Sequence, residues 1–86
     1  MEIRQAVQAG TMQSSDLMVF IEPAEELEIL IESTVKKQFE HLIQAQVEES
    51  LKKFEVTKGR IKISDRGALD YAIAARIETG IKRACA

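Results

Sequence analysis

The sequence predicts an α+β fold: a small two-layer sandwich of order β-β-α-β-α, with two helices on one face of a three-stranded mixed sheet. Two apolar stretches with the two-residue period of strands come first, and a third lies between two segments with helical spacing. The chain has 86 residues, of which 24 are Ile, Leu, Val or Phe. That composition supports one hydrophobic core, so we expect a single domain over residues 1–86.

Three segments have the composition and period of strands. Residues 17–22 are apolar on both alternate sets, which predicts a central strand with cover on both faces. Residues 27–32 alternate between an apolar and an acidic face, as a half-buried strand does. Residues 60–64 alternate Ile with basic or polar residues, so their basic outer face can pair with Glu28 and Glu32.

Two longer segments have apolar residues at helical spacing. The first helix is predicted over residues 34–54 with Ser33 or Thr34 as its cap, and the second follows Asp65, which can cap it. The apolar stripe of the first helix consists of Val35, Phe39, Leu42, Ile43, Val47, Leu51 and Phe54, and that of the second of Leu69, Ala72, Ile73, Ile77, Ile81 and Ala84.

The connections between these elements narrow the topology. A right-handed crossover through the long helix makes the second and third strands parallel. Because the first strand is apolar on both sets, we expect it between the other two. The predicted strand order is therefore 2-1-3, with both helices on one face of the sheet.

Residues 1–16 are predicted to be a flexible N-terminal segment. The stretch from Gln8 to Asp16 is rich in small polar residues, contains Gly10 and has no apolar period, which is typical of a mobile connector. The first ten residues are expected to fray. Fully extended, the nine residues 8–16 could span roughly 30 Å.

Composition excludes several classes of protein. The 14 acidic and 12 basic residues give a net charge of −2 without a basic stripe, which argues against a nucleic-acid partner. No apolar run is long enough for a membrane span, so we expect a cytoplasmic protein. Cys85 is the single cysteine, and therefore no internal disulfide can form.

The side chains predict no catalytic and no metal site. His41 is the only histidine and lies in the middle of the first predicted helix, where a solvated residue is expected. Metal binding requires a cluster of ligands, and acid-base catalysis requires two titratable groups tuned against each other. The sequence proposes neither.

Ser14 and Ser15 form an adjacent pair before the first predicted strand, which by itself is typical of turn chemistry. The residues around the pair resemble the N-terminal signature of the citrate lyase acyl carrier proteins, or gamma chains; they read Ala9-Gly10-Thr11-Met12-Gln13-Ser14-Ser15-Asp16-Leu17-Met18-Val19. Further segments resemble the same family in order and spacing, namely Val35-Lys36-Lys37-Gln38-Phe39, Asp65-Arg66-Gly67-Ala68-Leu69-Asp70, and Ala75-Arg76 with Arg83-Ala84.

This resemblance implies a non-catalytic carrier with a covalent cofactor, 2'-(5''-phosphoribosyl)-3'-dephospho-coenzyme A. The family joins it by a phosphodiester to the first serine of the Ser-Ser-Asp motif, here Ser14, with Ser15 as the less favoured acceptor. The implied partners are the transferase (alpha) and lyase (beta) subunits of citrate lyase, and transiently a prosthetic-group transferase and an acetate ligase. The implied cycle exchanges acetate for citrate on the thioester and then cleaves the citryl group to oxaloacetate and an acetyl thioester.

Two other functions remain open. The carrier subunit of malonate decarboxylase resembles this family in size and uses the same kind of prosthetic group. Alternatively, the chain is an interaction module in which the long helix forms an oligomer seam and Ser14 is unmodified.

Overall fold

The computed structural model describes residues 1–33 and 40–86. Over these residues the elements are β1 (Val7–Gly10), β2 (Leu17–Glu22), β3 (Leu27–Ser33), α1 (Glu40–Lys53), β4 (Gly59–Asp65) and α2 (Asp70–Cys85). The α+β class and the two helices are confirmed. The sheet differs from the prediction, since it contains a fourth strand, β1, where an irregular connector was expected.

The strand order is β1-β2-β4-β3. β2 pairs antiparallel with both β1 and β4, whereas β3 and β4 are parallel. The predicted parallel pairing of the two strands that flank the long helix is therefore confirmed. The predicted order 2-1-3 is wrong, because β4 lies between β2 and β3.

The error has a physical reason in β2. This strand does have two neighbours, as expected of a central strand, but the second neighbour is β1 rather than β3. Cover on both faces was also expected and is wrong, since Phe20 is 39% exposed. In contrast, the large apolar residues of β4 all lie on one alternate set, with Ile61 and Ile63 fully buried. One apolar set is sufficient for an internal position in a sheet that has helices on a single face.

Both helices lie on the inner face of the sheet, as predicted. The buried sets of β2 and β4 pack against the apolar stripes of α1 and α2. Gly80 lets α2 approach β2 closely, because a Cβ at this position would lie 3.0 Å from Cδ1 of Ile21. Among the described residues, the hydrophobic side chains with 2% exposure or less are Leu17, Val19, Ile21, Ile43, Val47, Ile61, Ile63, Ile77, Ile81 and Ala84.

The outer face of the sheet is charged and exposed. The Arg60 guanidinium lies between two carboxylates, 2.7 Å from Glu22 on β2 and 3.1 Å from Glu28 on β3. The predicted pairing of the basic strand with Glu28 is confirmed. Solvent screens pairs that are this exposed, so they contribute little to stability.

The start of the second helix differs from the predicted one, and the start of the first is not described. Ser33 is the last residue of β3, and its hydroxyl donates to Oδ2 of Asp65 at 3.0 Å. Thr34 and the rest of the predicted first turn, including Val35 and Phe39, lie outside the described residues. Asp65 does not cap α2, which begins five residues later at Asp70 without a side-chain cap.

The N-terminal segment is anchored rather than frayed. Ile3 is 6% exposed and belongs to the core. The Met1 amino group donates to the Phe54 carbonyl at 2.9 Å, and the Arg4 N–H donates to the Ala84 carbonyl at 2.8 Å. No described helix combines the length and apolar character that crossing a membrane requires.

Candidate functional site

The loop between β1 and β2, residues 11–16, presents Ser14 at one end of the sheet. Asp16 N–H donates to the Gln13 carbonyl at 3.2 Å, which closes a turn over residues 13–16. Ser15, at the third position, has a φ of 63°, the pattern of a type II turn. Ser14 therefore occupies the second position, a corner of the turn, and is exposed there.

Gly10 fixes the point at which the chain enters this loop. Its φ is 92°, and a Cβ at this position would collide with the Leu17 carbonyl oxygen. The Thr11 N–H donates to the same carbonyl at 3.1 Å, so β1 and β2 stay paired up to the loop. Gly10 was interpreted as a sign of mobility, but in the structure it permits a close approach of two backbones.

The Asp16 carboxylate ties the two ends of the loop to α2. Oδ2 accepts a hydrogen bond from the Thr11 hydroxyl at 2.5 Å, and Oδ1 accepts one from the Leu17 N–H at 2.8 Å. The Arg76 guanidinium donates to both oxygens, from Nε at 3.2 Å and from Nη2 at 3.0 Å. This bidentate pair connects residues 60 positions apart and holds the loop against the helix.

The same contacts decide what Asp16 can do chemically. Hydrogen bonds from Thr11 and then from Arg76 lower the pKa of Asp16 from its ordinary value of 3.8 to about 2. A carboxylate with so low a pKa is a weak base at neutral pH, and both of its oxygens already accept donors. Asp16 is therefore a structural anion and does not activate the neighbouring serines.

A second turn, at the end of β4, supports the loop from the other side. The Ser15 N–H donates to the Arg66 carbonyl and the Arg66 N–H donates to the Asp16 carbonyl, each at 2.8 Å. Buried Asp65 orders this turn, because its Oδ1 accepts from the amides of Gly67 at 3.2 Å and Ala68 at 3.0 Å. The loop is thus fixed by β2, by the turn after β4 and by α2.

Distant sequence segments meet at this end of the molecule. Three of the segments that resemble the carrier family lie together here: Ser-Ser-Asp, Asp65–Asp70 and the arginine of Ala75-Arg76. The segment of residues 35–39 lies outside the described residues. Arg83 contacts β1, since its Nη1 donates to the Gln8 carbonyl at 3.2 Å. Arg66 and Arg76 both belong to segments that resemble the family, but the sequence predicted no role for either.

The other singled-out side chains lie elsewhere. His41 is exposed on α1, and Cys85 is half-buried at the end of α2. Within residues 1–33 and 40–86, no three His, Cys, Asp or Glu side chains are grouped so that they could hold a metal ion.

Residues 4–84 match the family model described as ACP, malonate decarboxylase delta subunit (MdcD). The chain is similar to the citrate lyase acyl carrier protein of Treponema denticola, with 43% identity over 84 residues, 98% of this chain and 97% of the relative. The citrate lyase acyl carrier protein of Cronobacter sakazakii is 50% identical over 86 residues, 99% of this chain and 89% of the relative.

Among solved structures, a chain of a Pseudomonas malonate decarboxylase hetero-tetramer in complex with malonate has a similar fold. Its TM-score is 0.78 at 25% identity, and the match covers 94% of this chain and 84% of that one. Together with the curated relatives, which match over nearly their full length, these findings show that the chain belongs to the family of the citrate lyase acyl carrier proteins.

Proposed function

We propose that this chain is the acyl carrier subunit of a citrate lyase complex and that Ser14 is the residue that bears its prosthetic arm. The observation that carries the proposal is the exposed Ser14 hydroxyl at the corner of a turn that three elements fix in place. An attachment serine must reach the active site of an attaching enzyme, and a fixed, protruding turn presents it in one orientation.

The residues around Ser14 fit 2'-(5''-phosphoribosyl)-3'-dephospho-coenzyme A joined through a phosphodiester. A phosphodiester is an anion, and the nearest carboxylate of the loop, Asp16, is already matched by Arg76. Arg66 adds a further positive charge beside the loop. A phosphate ester on Ser14 therefore enters surroundings with no uncompensated negative charge in the loop itself.

Attachment requires a base that this loop does not supply. The Ser14 oxygen forms a bond to phosphorus while a leaving group departs from the donor, and the hydroxyl proton passes to a base. Asp16 is excluded from that role by its low pKa and its occupied oxygens. We therefore assign the base to the attaching enzyme.

When bound, the arm supplies a terminal thiol that holds acetyl and citryl groups as thioesters. The chain presents this thiol to the transferase and lyase subunits by tethering, which raises its effective concentration at both sites. Residues 8–16 were expected to add up to roughly 30 Å to the reach of the arm if they were extended. They cannot do so, because residues 7–10 are paired with β2 in the sheet. The reach then comes from the arm and from movement of the whole carrier. The cytoplasmic location and the individual partner subunits stay predictions.

Attachment is tested by intact mass after expression with and without the attaching enzyme. We expect the wild-type chain and Ser15→Ala to gain the mass of the arm and Ser14→Ala to gain none. Ser15→Ala is the matched control, since it removes a hydroxyl from the next position of the same turn. If only Ser15→Ala fails to gain mass, the acceptor is Ser15. If neither change alters the mass, the assignment of the arm to Ser14 is wrong.

The carrier subunit of malonate decarboxylase is the second candidate. The description of the matching family model and the solved Pseudomonas complex favour it. The acyl group separates the two functions: a citrate lyase carrier purified from its native host bears acetyl groups on the arm, whereas a malonate decarboxylase carrier also bears malonyl groups. Mass measurement of the released acyl groups makes the distinction.

A further inference from the structure

Arg66 is held beside the serine loop by its backbone. Its backbone N–H and carbonyl are both used by the loop, in hydrogen bonds of 2.8 Å to Asp16 and Ser15. The side chain is exposed, and among the described residues its guanidinium has no hydrogen-bond or ion-pair partner. The backbone pairing therefore places Arg66 beside Ser15, and no anion among the described residues pairs with its side chain.

The nearby carboxylates do not account for this cation. Asp16 is opposite Arg66 in the backbone pairing, but its two oxygens bind Arg76, Thr11 and the Leu17 amide. Asp65 is 4% exposed, and its oxygens accept from Ser33 and from two turn amides. Both anions are satisfied from other directions, so the Arg66 guanidinium stays available to an anion that arrives at the loop.

We propose that Arg66 binds the phosphodiester that joins the arm to Ser14, an inference that rests on the proposed function. A guanidinium donates two parallel hydrogen bonds to a pair of phosphate oxygens, and its charge is retained at any physiological pH. Ser14 is the direct neighbour of Ser15, whose amide binds the Arg66 carbonyl, so the first phosphate of the arm lies within reach of a long side chain on the paired segment. Binding there restrains the base of the arm and sets the direction in which it leaves the protein.

The direct test compares the Arg66 Nε–H group in the apo- and holo-proteins by 15N NMR. We expect its resonance to shift on attachment and its exchange with water to slow about fivefold, the ratio that corresponds to a contact of ~1 kcal/mol. The 31P resonance of the phosphodiester, which is distinct from those of the diphosphate, should move in Arg66→Gln. Arg66→Lys, which keeps the charge without the two-pronged geometry, should give an intermediate shift.

Lys62→Gln is the matched control, because it removes an exposed positive charge from β4, the strand that leads into the turn that contains Arg66. It should leave the 31P resonance unchanged. An Arg66 Nε–H that is identical in apo- and holo-protein overturns the inference, and so does an equal 31P effect of the two glutamine variants. The comparison of the wild-type apo- and holo-proteins tests the inference even if the attaching enzyme modifies Arg66→Gln poorly. If the wild-type chain acquires no arm at Ser14, the proposed function fails, whereas loading without any Arg66 response refutes this inference alone.

Discussion

Replacing Asp16 by Asn removes the negative charge that Arg76 faces and preserves the shape of the side chain. The wild-type carboxylate accepts four hydrogen bonds, two of them from the guanidinium. The variant keeps one carbonyl acceptor and loses the ion pair. We expect the fold to persist with lower stability, because the rest of the core is unaffected.

The magnitude follows from the pKa of Asp16. A lowering from 3.8 to about 2 is equivalent to about 2 kcal/mol of stability at neutral pH, since one pH unit corresponds to about 1.4 kcal/mol. The Asp16 side chain is 15% exposed and that of Arg76 is 42% exposed, so solvent screening reduces the value to about 1–2 kcal/mol. Because the pKa is lowered on folding, this contribution is present above about pH 4 and is lost as the pH falls through about 2.

Urea unfolding of wild type and Asp16→Asn at a series of pH values measures this contribution. The difference in free energy of unfolding should be about 1–2 kcal/mol at pH 7 and a few tenths near pH 2. Glu25→Gln, which removes an exposed carboxylate elsewhere, should stay within about 0.5 kcal/mol of wild type. A difference for Asp16→Asn that does not change between pH 7 and 2 would show that the charge of Asp16 does not stabilise the fold.

Two further replacements test the loop entry and the N-terminal anchor. Gly10→Ala should lower the free energy of unfolding by more than about 2 kcal/mol, because its φ of 92° and the Leu17 carbonyl both oppose a Cβ; a urea midpoint equal to wild type would contradict this. Ile3→Ala should cost about 2–4 kcal/mol, because Ile3 is 6% exposed in the core, whereas a frayed terminus predicts no change in thermal unfolding.

The sequence was most informative where a period of two or 3.6 residues is unambiguous. The helix stripes and the alternation of Ile61 and Ile63 predicted α1, α2 and β4 correctly, and handedness predicted the parallel pair β3 and β4. The predicted strand order was wrong because the backbone groups on each edge of β2 can form hydrogen bonds with any neighbouring strand. The composition of residues 7–10 gives no period from which that neighbour could be recognised.

The sequence predicted the proposed attachment residue of the site but not the contacts that hold it. Ser14 was singled out through a family signature, and its position at an exposed turn agrees with a residue that another enzyme modifies. The contacts that hold the turn join Asp16 to Arg76 across 60 positions and Ser15 to Arg66 across 51, and no local pattern encodes such pairs. Gly10 was misread because glycine signals both mobility and close backbone approach, and only the neighbouring strand distinguishes them.

Peptide mapping of the wild-type holo-protein tests the assignment of Ser14 most directly. Cleavage after Arg4 and Lys36 releases a peptide of residues 5–36 that contains both serines, and backbone fragmentation between them separates the two positions. We expect the mass of the arm on fragments that contain Ser14 but not Ser15. The assignment of Ser14 is wrong if the added mass first appears with Ser15, or if residues 5–36 carry no added mass in a loaded, active complex.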